Sequence, residues 1–194
     1  MIVGININKE KWGPLALAVG DKNPIHYLEE RGICPGIYLF SDAEKRAREE
    51  GIFKIPINIK ANFMHLVYDK DHILLTKDNL DEKKSVFTYS KNSEDVAKFD
   101  FQKSESTKLN TSYEFAPDNE NIRKISQQDL DNFNNSLEIQ NNQVVYSAFV
   151  FGGILEKFLV EREGSLLYHL QFDFYKEPTI GEIIIKTNII SNIR

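Results

Sequence analysis

Leu166-Leu167-Tyr168-His169-Leu170-Gln171-Phe172-Asp173-Phe174-Tyr175 is the longest alternating run in the chain, and its reading decides the fold. Leu166, Tyr168, Leu170, Phe172 and Phe174 fall on one side and Leu167, His169, Gln171, Asp173 and Tyr175 on the other, because successive strand side chains point to opposite faces. One greasy and one more polar face predict a central antiparallel strand. Toward the C-terminus, Glu182 and Lys186 bracket Ile183-Ile184-Ile185, a last strand that aggregates if exposed and must be paired or covered. Upstream, Val144 to Phe151 is apolar on both faces apart from Tyr146 and Ser147 and reads as an interior strand ended by Gly152-Gly153. Residues 154–163 stay open between a helix, on the stripe Ile154, Leu155, Phe158 and Leu159, and a hairpin turning through Arg162-Glu163-Gly164.

The N-terminal part alternates strands with short helices. Ile2, Ile5 and Ile7 read as a first strand, and Leu15, Leu17 and Val19, after Gly13-Pro14, as a second. Asn23 caps a helix that starts on Pro24 and ends at Gly32. Ile37-Tyr38-Leu39-Phe40 has the composition of a buried strand. Ser41 and Glu44 form a capping box for a surface helix from about Asp42 to Glu50, stopped by Gly51. In it Glu44 with Arg48, Lys45 with Glu49 and Arg46 with Glu50 stand one turn apart on the outside. Phe53, Ile55, Ile57 and Ile59 then alternate with polar residues and Pro56, which prefers an edge or a bulge. Met64 to Tyr68 and Ile73 to Thr76 form a hairpin.

Residues 78–143 are polar, with isolated apolar strips at Val86-Phe87, Phe99 to Phe101 and Tyr113 to Phe115 that read as short peripheral strands. Ser126 caps a third helix whose Leu130, Phe133 and Leu137 line one face. Hydrophobic residues concentrate before Thr76 and after Gln143, so the two ends are expected to build the core around a polar middle. The predicted fold is α+β: one globular domain over 1–194, a mainly antiparallel twisted sheet, and two to three short helices packed on one face.

Composition excludes more than it assigns. The 194 residues are 41% hydrophobic and 27% charged, which suits a globular chain. No apolar run reaches the roughly 18 residues of a membrane span. Met1–Asn8 alternates and then meets Lys9, Glu10 and Lys11, unlike a secretory signal. Lys and Arg number 24 against 29 Asp and Glu, a net charge of −5 that lacks the basic footprint of a nucleic-acid binder. Cys34 is the single cysteine, so neither an internal disulfide nor a thiolate zinc site can form, and the cytoplasm is the default compartment. Abundant Asn, Ile and Lys suggest a bacterial or phage genome.

No motif stands out as a catalytic site. His26, His65, His72 and His169 are scattered; His169 and Asp173 share a strand face but lie roughly 13 Å apart, too far to hold one ion. With residues 23–31 helical, His26 lies roughly 12 Å from Cys34 along the axis and activates it only if the loop folds back. Gly152-Gly153 lacks the lysine or third glycine of a phosphate loop, and no Gly-x-Ser-x-Gly elbow exists. Tyr146, Tyr168 and Tyr175 are candidates to line a small-molecule pocket in the mouth of the sheet.

His26, the helix ending at Gly32, Gly36-Ile37-Tyr38-Leu39-Phe40-Ser41-Asp42 with the Ala47 helix, and Gly181-Glu182 opening an Ile-rich strand follow an order that resembles ADP-ribosyltransferase-like folds. The resemblance implies NAD as cofactor, held by His26 and Tyr38, with Glu182 as the catalytic carboxylate. Beside it stands the ordinary reading: a structural Tyr38 and a strand-guarding Glu182, with no cofactor and no metal. The leading expectation is therefore a non-enzymatic bacterial or phage immunity or inhibitor protein. Its acidic surface would steer it to a basic protein partner such as a toxin. The NAD-using enzyme is the alternative.

Overall fold

The computed structural model describes residues 2–28, 32–104, 119–140, 144–152, 169–174 and 181–187. After β1 (Ile2–Asn6) the chain enters α1 (Lys9–Val19), capped by Asn8, whose side chain accepts from the Glu10 amide. The expected second strand lies inside this helix. Trp12, Leu15, Ala16 and Val19 recur at spacings of three and four and are all fully buried, whereas Leu17, counted into the alternating pattern, is 56% exposed. Helical periodicity outweighs the Gly13-Pro14 break.

Pro24–Tyr27 is a single 3₁₀ turn, capped by Asn23 and shorter than the predicted helix. Gly36–Glu49 is one helix, α2, so the expected strand Ile37–Phe40 forms its opening turns. Ser41 is no cap: its hydroxyl donates to the Ile37 carbonyl at 2.7 Å within the helix. Ile37, Tyr38, Leu39 and Phe40 are all buried, and a helix enclosed on every side carries a continuous apolar run that looks like a buried strand. Glu44, expected outside, is fully buried and ion-paired to Arg48 at 2.8 Å. Arg46 pairs with Asp42 at 2.9 Å instead of Glu50.

The six-stranded sheet adds β2 (Ile57–Phe63), β3 (His72–Asn79), β4 (Lys84–Lys91), β5 (Glu94–Lys103) and β7 (His169–Phe174) to β1. Its order is β1-β3-β4-β5-β2-β7 and every pairing is antiparallel. The α+β class and the antiparallel sheet are as predicted. The assignment of centre and periphery is reversed. β4 and β5, from the polar middle, are the central strands, with Phe87, Phe99 and Phe101 fully buried on the inner face. β7 pairs only with β2 among the described residues, so residues 169–174 of the decisive run stand at the end of the described sheet. Pro56 precedes β2, which is paired on both sides. Met64 to Tyr68 is not a strand but meets Ile33 at an isolated bridge through Tyr68.

The inner face of the sheet packs on α2. Phe40 meets Phe99 at 5.7 Å and Phe101 at 6.4 Å between ring centres, and Phe151 closes on it from the other side at 5.4 Å. Burying each such ring stabilises the fold by about 1.5–3 kcal/mol. The helix α3 (Gln127–Ser136) starts at the predicted Ser126, which forms a capping box with Asp129, and buries Leu130, Phe133 and Leu137. Residues 148–152 are helical where an interior strand was expected. β6 (Asn119–Ile125) and β8 (Gly181–Thr187) form a separate two-stranded sheet, so the isoleucine run is paired. Tyr113 to Phe115, residues 154–163, Tyr168 and Tyr175 lie outside the described residues. Among the described residues no helix is long and apolar enough to cross a membrane.

Candidate active site

A buried carboxylate and a buried imidazole meet where α1 ends. Gly20 stops the helix in the left-handed conformation, φ 86°, which a residue without a β-carbon adopts at little cost. The next amide, that of Asp21, bonds the Ala16 carbonyl at 2.8 Å and fixes the carboxylate against the helix end. Asn23 then accepts from the Ile25 amide, and its own amide lies 3.3 Å from Asp21 Oδ1. Pro24 supplies the restricted φ of the first position of the turn. This tight turn folds His26 back onto Asp21, with Nε2 at 3.3 Å from Oδ2 and side-chain exposures of only 5% and 2%.

The other ring nitrogen sets the tautomer. His26 Nδ1 lies 2.7 Å from the Ile33 carbonyl oxygen, which can only accept, so Nδ1 carries a proton. In the neutral ring Nε2 is then a lone pair facing a carboxylate oxygen. A proton placed between Nε2 and Oδ2 would serve both acceptors. The Ile33 carbonyl is itself held: Ile33 bridges Tyr68, the Cys34 amide donates to the Val67 carbonyl at 2.8 Å, and the Asp69 amide to that of Gly32 at 2.9 Å.

Two aromatic residues close the surroundings. Trp12, fully buried on α1, sets its ring edge-on to His26 at 6.4 Å, and its indole nitrogen has no partner among the described residues. Tyr27 donates its hydroxyl to the Asp21 carbonyl at 3.3 Å. Burial, and then the Asp21 charge, push the Tyr27 hydroxyl up to about 12, so it stays a donor at neutral pH. Excluding water strengthens every charge interaction of the pair.

Of the residues singled out from the sequence, His26 belongs to this pair. Tyr38 lies buried on α2, its hydroxyl pushed up by burial and by the neighbouring Cys34 and Asp42. Glu182 lies on β8, opposite Lys124 in the two-stranded sheet. His26 faces the Ile33 carbonyl rather than the Cys34 thiol, with Nδ1 at 2.7 Å from that oxygen. The adjacent Cys34 thiol is buried and pushed well up by that burial and by Asp69 and Asp71, the opposite of an activated nucleophile. Tyr146 is buried against Phe133, with the Arg48 guanidinium 5.0 Å from its ring. Among the described residues no three His, Cys, Asp or Glu side chains converge to hold a metal ion.

Asp21 was missed because the turn was read as a two-turn helix running forward from Asn23, which sent the search for a partner of His26 downstream to Cys34. The available signal was an acid placed just before an Asn-Pro cap with a histidine inside the first turn. A turn that short returns to its own start.

No family model and no curated protein matches the sequence significantly. Solved structures do match. A MaoC-like dehydratase from Phytophthora capsici superposes with a TM-score of 0.72 at 9% identity, over 99% of this chain and 86% of that one. The full-length peroxisomal multifunctional enzyme type 2 from Drosophila melanogaster gives 0.64 at 11% identity over 93% of this chain and 41% of that one. HtdX from Mycobacterium tuberculosis gives 0.57 at 10% identity over 93% and 85%. These likenesses correct both functional expectations. The immunity or inhibitor protein with a basic partner rested on no catalytic cluster being legible in the sequence, and the structure brings Asp21 and His26 together in the interior of a fold shared with dehydratases. The NAD-using alternative needed Tyr38 on a strand leading into a helix, and Tyr38 is inside α2. The fold, an antiparallel sheet packed against the buried helix α2, is the hotdog-like one of MaoC-like dehydratase structures.

Proposed function

We propose that this chain is a dehydratase or hydratase that eliminates water from, or adds it to, a small β-hydroxy carbonyl compound. The observation that carries the reading is the buried Asp21–His26 pair, with Nδ1 committed to a carbonyl and Nε2 shared with the carboxylate. Elimination needs one group to accept the proton on the carbon next to the carbonyl and one to deliver a proton to the departing hydroxyl. In the ion-paired state Asp21 is the acceptor and His26, protonated on both nitrogens, is the donor. The C–H and C–O bonds break, the C=C bond forms, water leaves, and the proton on Asp21 returns to Nε2 across 3.3 Å. Hydration runs the same steps in reverse.

The carbonyl must make the neighbouring C–H acidic, which a thioester or a ketone does and a free carboxylate does not. The reaction consumes no NAD and requires no electron carrier, so we propose none. The likeness of fold to a MaoC-like dehydratase supports the same class of chemistry. A single buried Cys34 fits a reducing compartment such as the cytoplasm.

The test is turnover of a panel of β-hydroxyacyl thioesters and of their α,β-unsaturated counterparts, followed by ultraviolet absorbance of the conjugated double bond. Asp21→Asn and His26→Ala are each expected to lower kcat by about 10²–10⁴-fold while the protein stays folded. No turnover on any member of the panel, or turnover indifferent to both substitutions, ends the reading.

A further inference from the structure

The Ile33 carbonyl that fixes the tautomer of His26 belongs to a connecting segment, residues 32–35, with no helix or named strand of its own, so something else must hold it. That support is a tight turn at 68–71. Its backbone closes with the Asp71 amide donating to the Tyr68 carbonyl at 3.1 Å, and Lys70 adopts the left-handed conformation, φ 66°. The Asp71 carboxylate closes it a second time, accepting from the Tyr68 amide at 2.8 Å. The same oxygen meets Lys91 Nζ of β4 at 2.6 Å. The Asp71 side chain is only 8% exposed, and Lys91 closes β4 opposite Glu94 of β5, so the turn is tied to the end of a paired strand.

The turn in turn carries the loop. Tyr68 bridges Ile33, and the flanking bonds from Cys34 to Val67 and from Asp69 to Gly32 put the Ile33 carbonyl where His26 Nδ1 reaches it at 2.7 Å. A second anchor links the turn to the start of α1, where the Lys9 amide donates to Asp69 Oδ1 at 2.7 Å. The path from Lys91 to the imidazole is thus an unbroken series of short polar contacts, each with one partner on the backbone or on a paired strand.

We infer that Asp71, clamped by Lys91, is a positioning residue for His26: it holds the Tyr68–Asp69 segment whose pairing sets where the Ile33 carbonyl stands, and so which ring nitrogen carries the proton. Its catalytic consequence rests on the dehydratase reading; its effect on the imidazole does not. With the Asp71 carboxylate removed, the turn keeps its backbone bonds from Asp71 to Tyr68, from Ile7 to Asp71 and from Lys70 to Ile7, but loses the closure on the Tyr68 amide and the tie to Lys91, and the Ile33 carbonyl moves relative to Nδ1. The neutral ring then populates the other tautomer, with its proton on Nε2 toward Asp21. A ring in that tautomer presents no lone pair at Nε2 and cannot take up a proton there.

The experiment uses the full chain with ¹⁵N-labelled histidine, read by NMR at one fixed pH without substrate, alongside kinetics on the thioester panel. Wild type is expected to show His26 protonated on Nδ1. Asp71→Ala is expected to lose that signature in part and to lower kcat by about 10-fold, since small misplacement of a catalytic group is costly, with KM within about twofold. Asp71→Asn keeps an acceptor for the Tyr68 amide and should recover most of the signature. Leu130→Ala in α3 should lower Tm without moving it, which separates positioning from general loosening. If Asp71→Ala does not fold, Lys91→Met is read instead and is expected to lose the signature in part. A His26 signature identical to wild type in Asp71→Ala, or in Lys91→Met where it replaces that variant, overturns the proposal. A wild type inactive on every thioester but with a tautomer dependent on Asp71 removes the dehydratase reading and upholds the positioning role.

Discussion

At Gly32 the space for a side chain is already taken. A β-carbon there would stand 2.8 Å from the His26 carbonyl oxygen and 3.2 Å from two carbons of the Trp12 ring. Backbone and a fully buried indole cannot yield as a flexible side chain would. Gly32→Ala is therefore expected to destabilise the protein by about 1–3 kcal/mol, measured by denaturant unfolding, and to lower turnover by displacing His26. The role of Gly32 was half legible: it was read as the end of a helix, whereas its function is close approach. His26 was legible as an ionisable residue, and its cap Asn23 and Pro24 were placed correctly. Asp21 was not, because what joins it to His26 is one turn of 3₁₀ geometry, and that turn is held by a tertiary bond from His26 to the Ile33 carbonyl that local preference does not specify.

Among elements, α2 shows how far a pattern can mislead. Its first turns are enclosed by the sheet, so they carry no stripe to betray a helix, and its later turns carry a buried acid where a solvated one was expected. Glu44 accepts from the Ser147 amide at 3.0 Å and its hydroxyl at 2.5 Å as well as from Arg48, whose guanidinium lies 3.8 Å from the Phe53 ring. Burial raises the Glu44 carboxyl above the usual range, while Arg48 and Ser147 pull it back down. The cluster fastens the 144–152 segment to α2. Glu44→Ala leaves a largely buried guanidinium and an unpaired Ser147, and is expected to cost about 3–5 kcal/mol in unfolding free energy. By contrast α3 was read correctly throughout, because its Ser126 cap and its Leu130, Phe133 and Leu137 stripe are local signals on a helix with a solvent face.

For the whole molecule, the class of fold was legible in strand alternation, while strand order was not. Nothing in Val86-Phe87 or Phe99 to Phe101 distinguishes a central strand from a peripheral one; long antiparallel partners on both sides make β4 and β5 central, and partners are not encoded locally. The packed interior also governs alkaline stability. Burial first, then nearby Asp21, holds the Tyr27 hydroxyl up to about 12; burial, then the charge of Asp42 and a 2.7 Å bond to it, holds Tyr89 well above its ordinary value. A raised folded-state value favours the protonated phenol in the native protein. The resulting stabilisation is complete below about pH 10, where the unfolded tyrosines still hold their protons, and is lost as pH rises through 12. In an absorbance titration Tyr27, Tyr38 and Tyr89 should ionise late and together with loss of the circular dichroism signal, whereas in denaturant all tyrosines should titrate near pH 10.

Gly152 gives the site a dependence on the order in which the chain is made. A β-carbon at Gly152 would lie 1.9 Å from the Val19 carbonyl oxygen, so the two backbones touch one residue before the Gly20 turn that presents Asp21. Asp21 and His26 leave the ribosome early, yet the surface that seats the end of their helix is more than a hundred residues behind them in synthesis. A nascent chain that ends before Gly152 carries Asp21 and His26 without the backbone that abuts Val19, so the packing around the end of α1 is completed only late in synthesis.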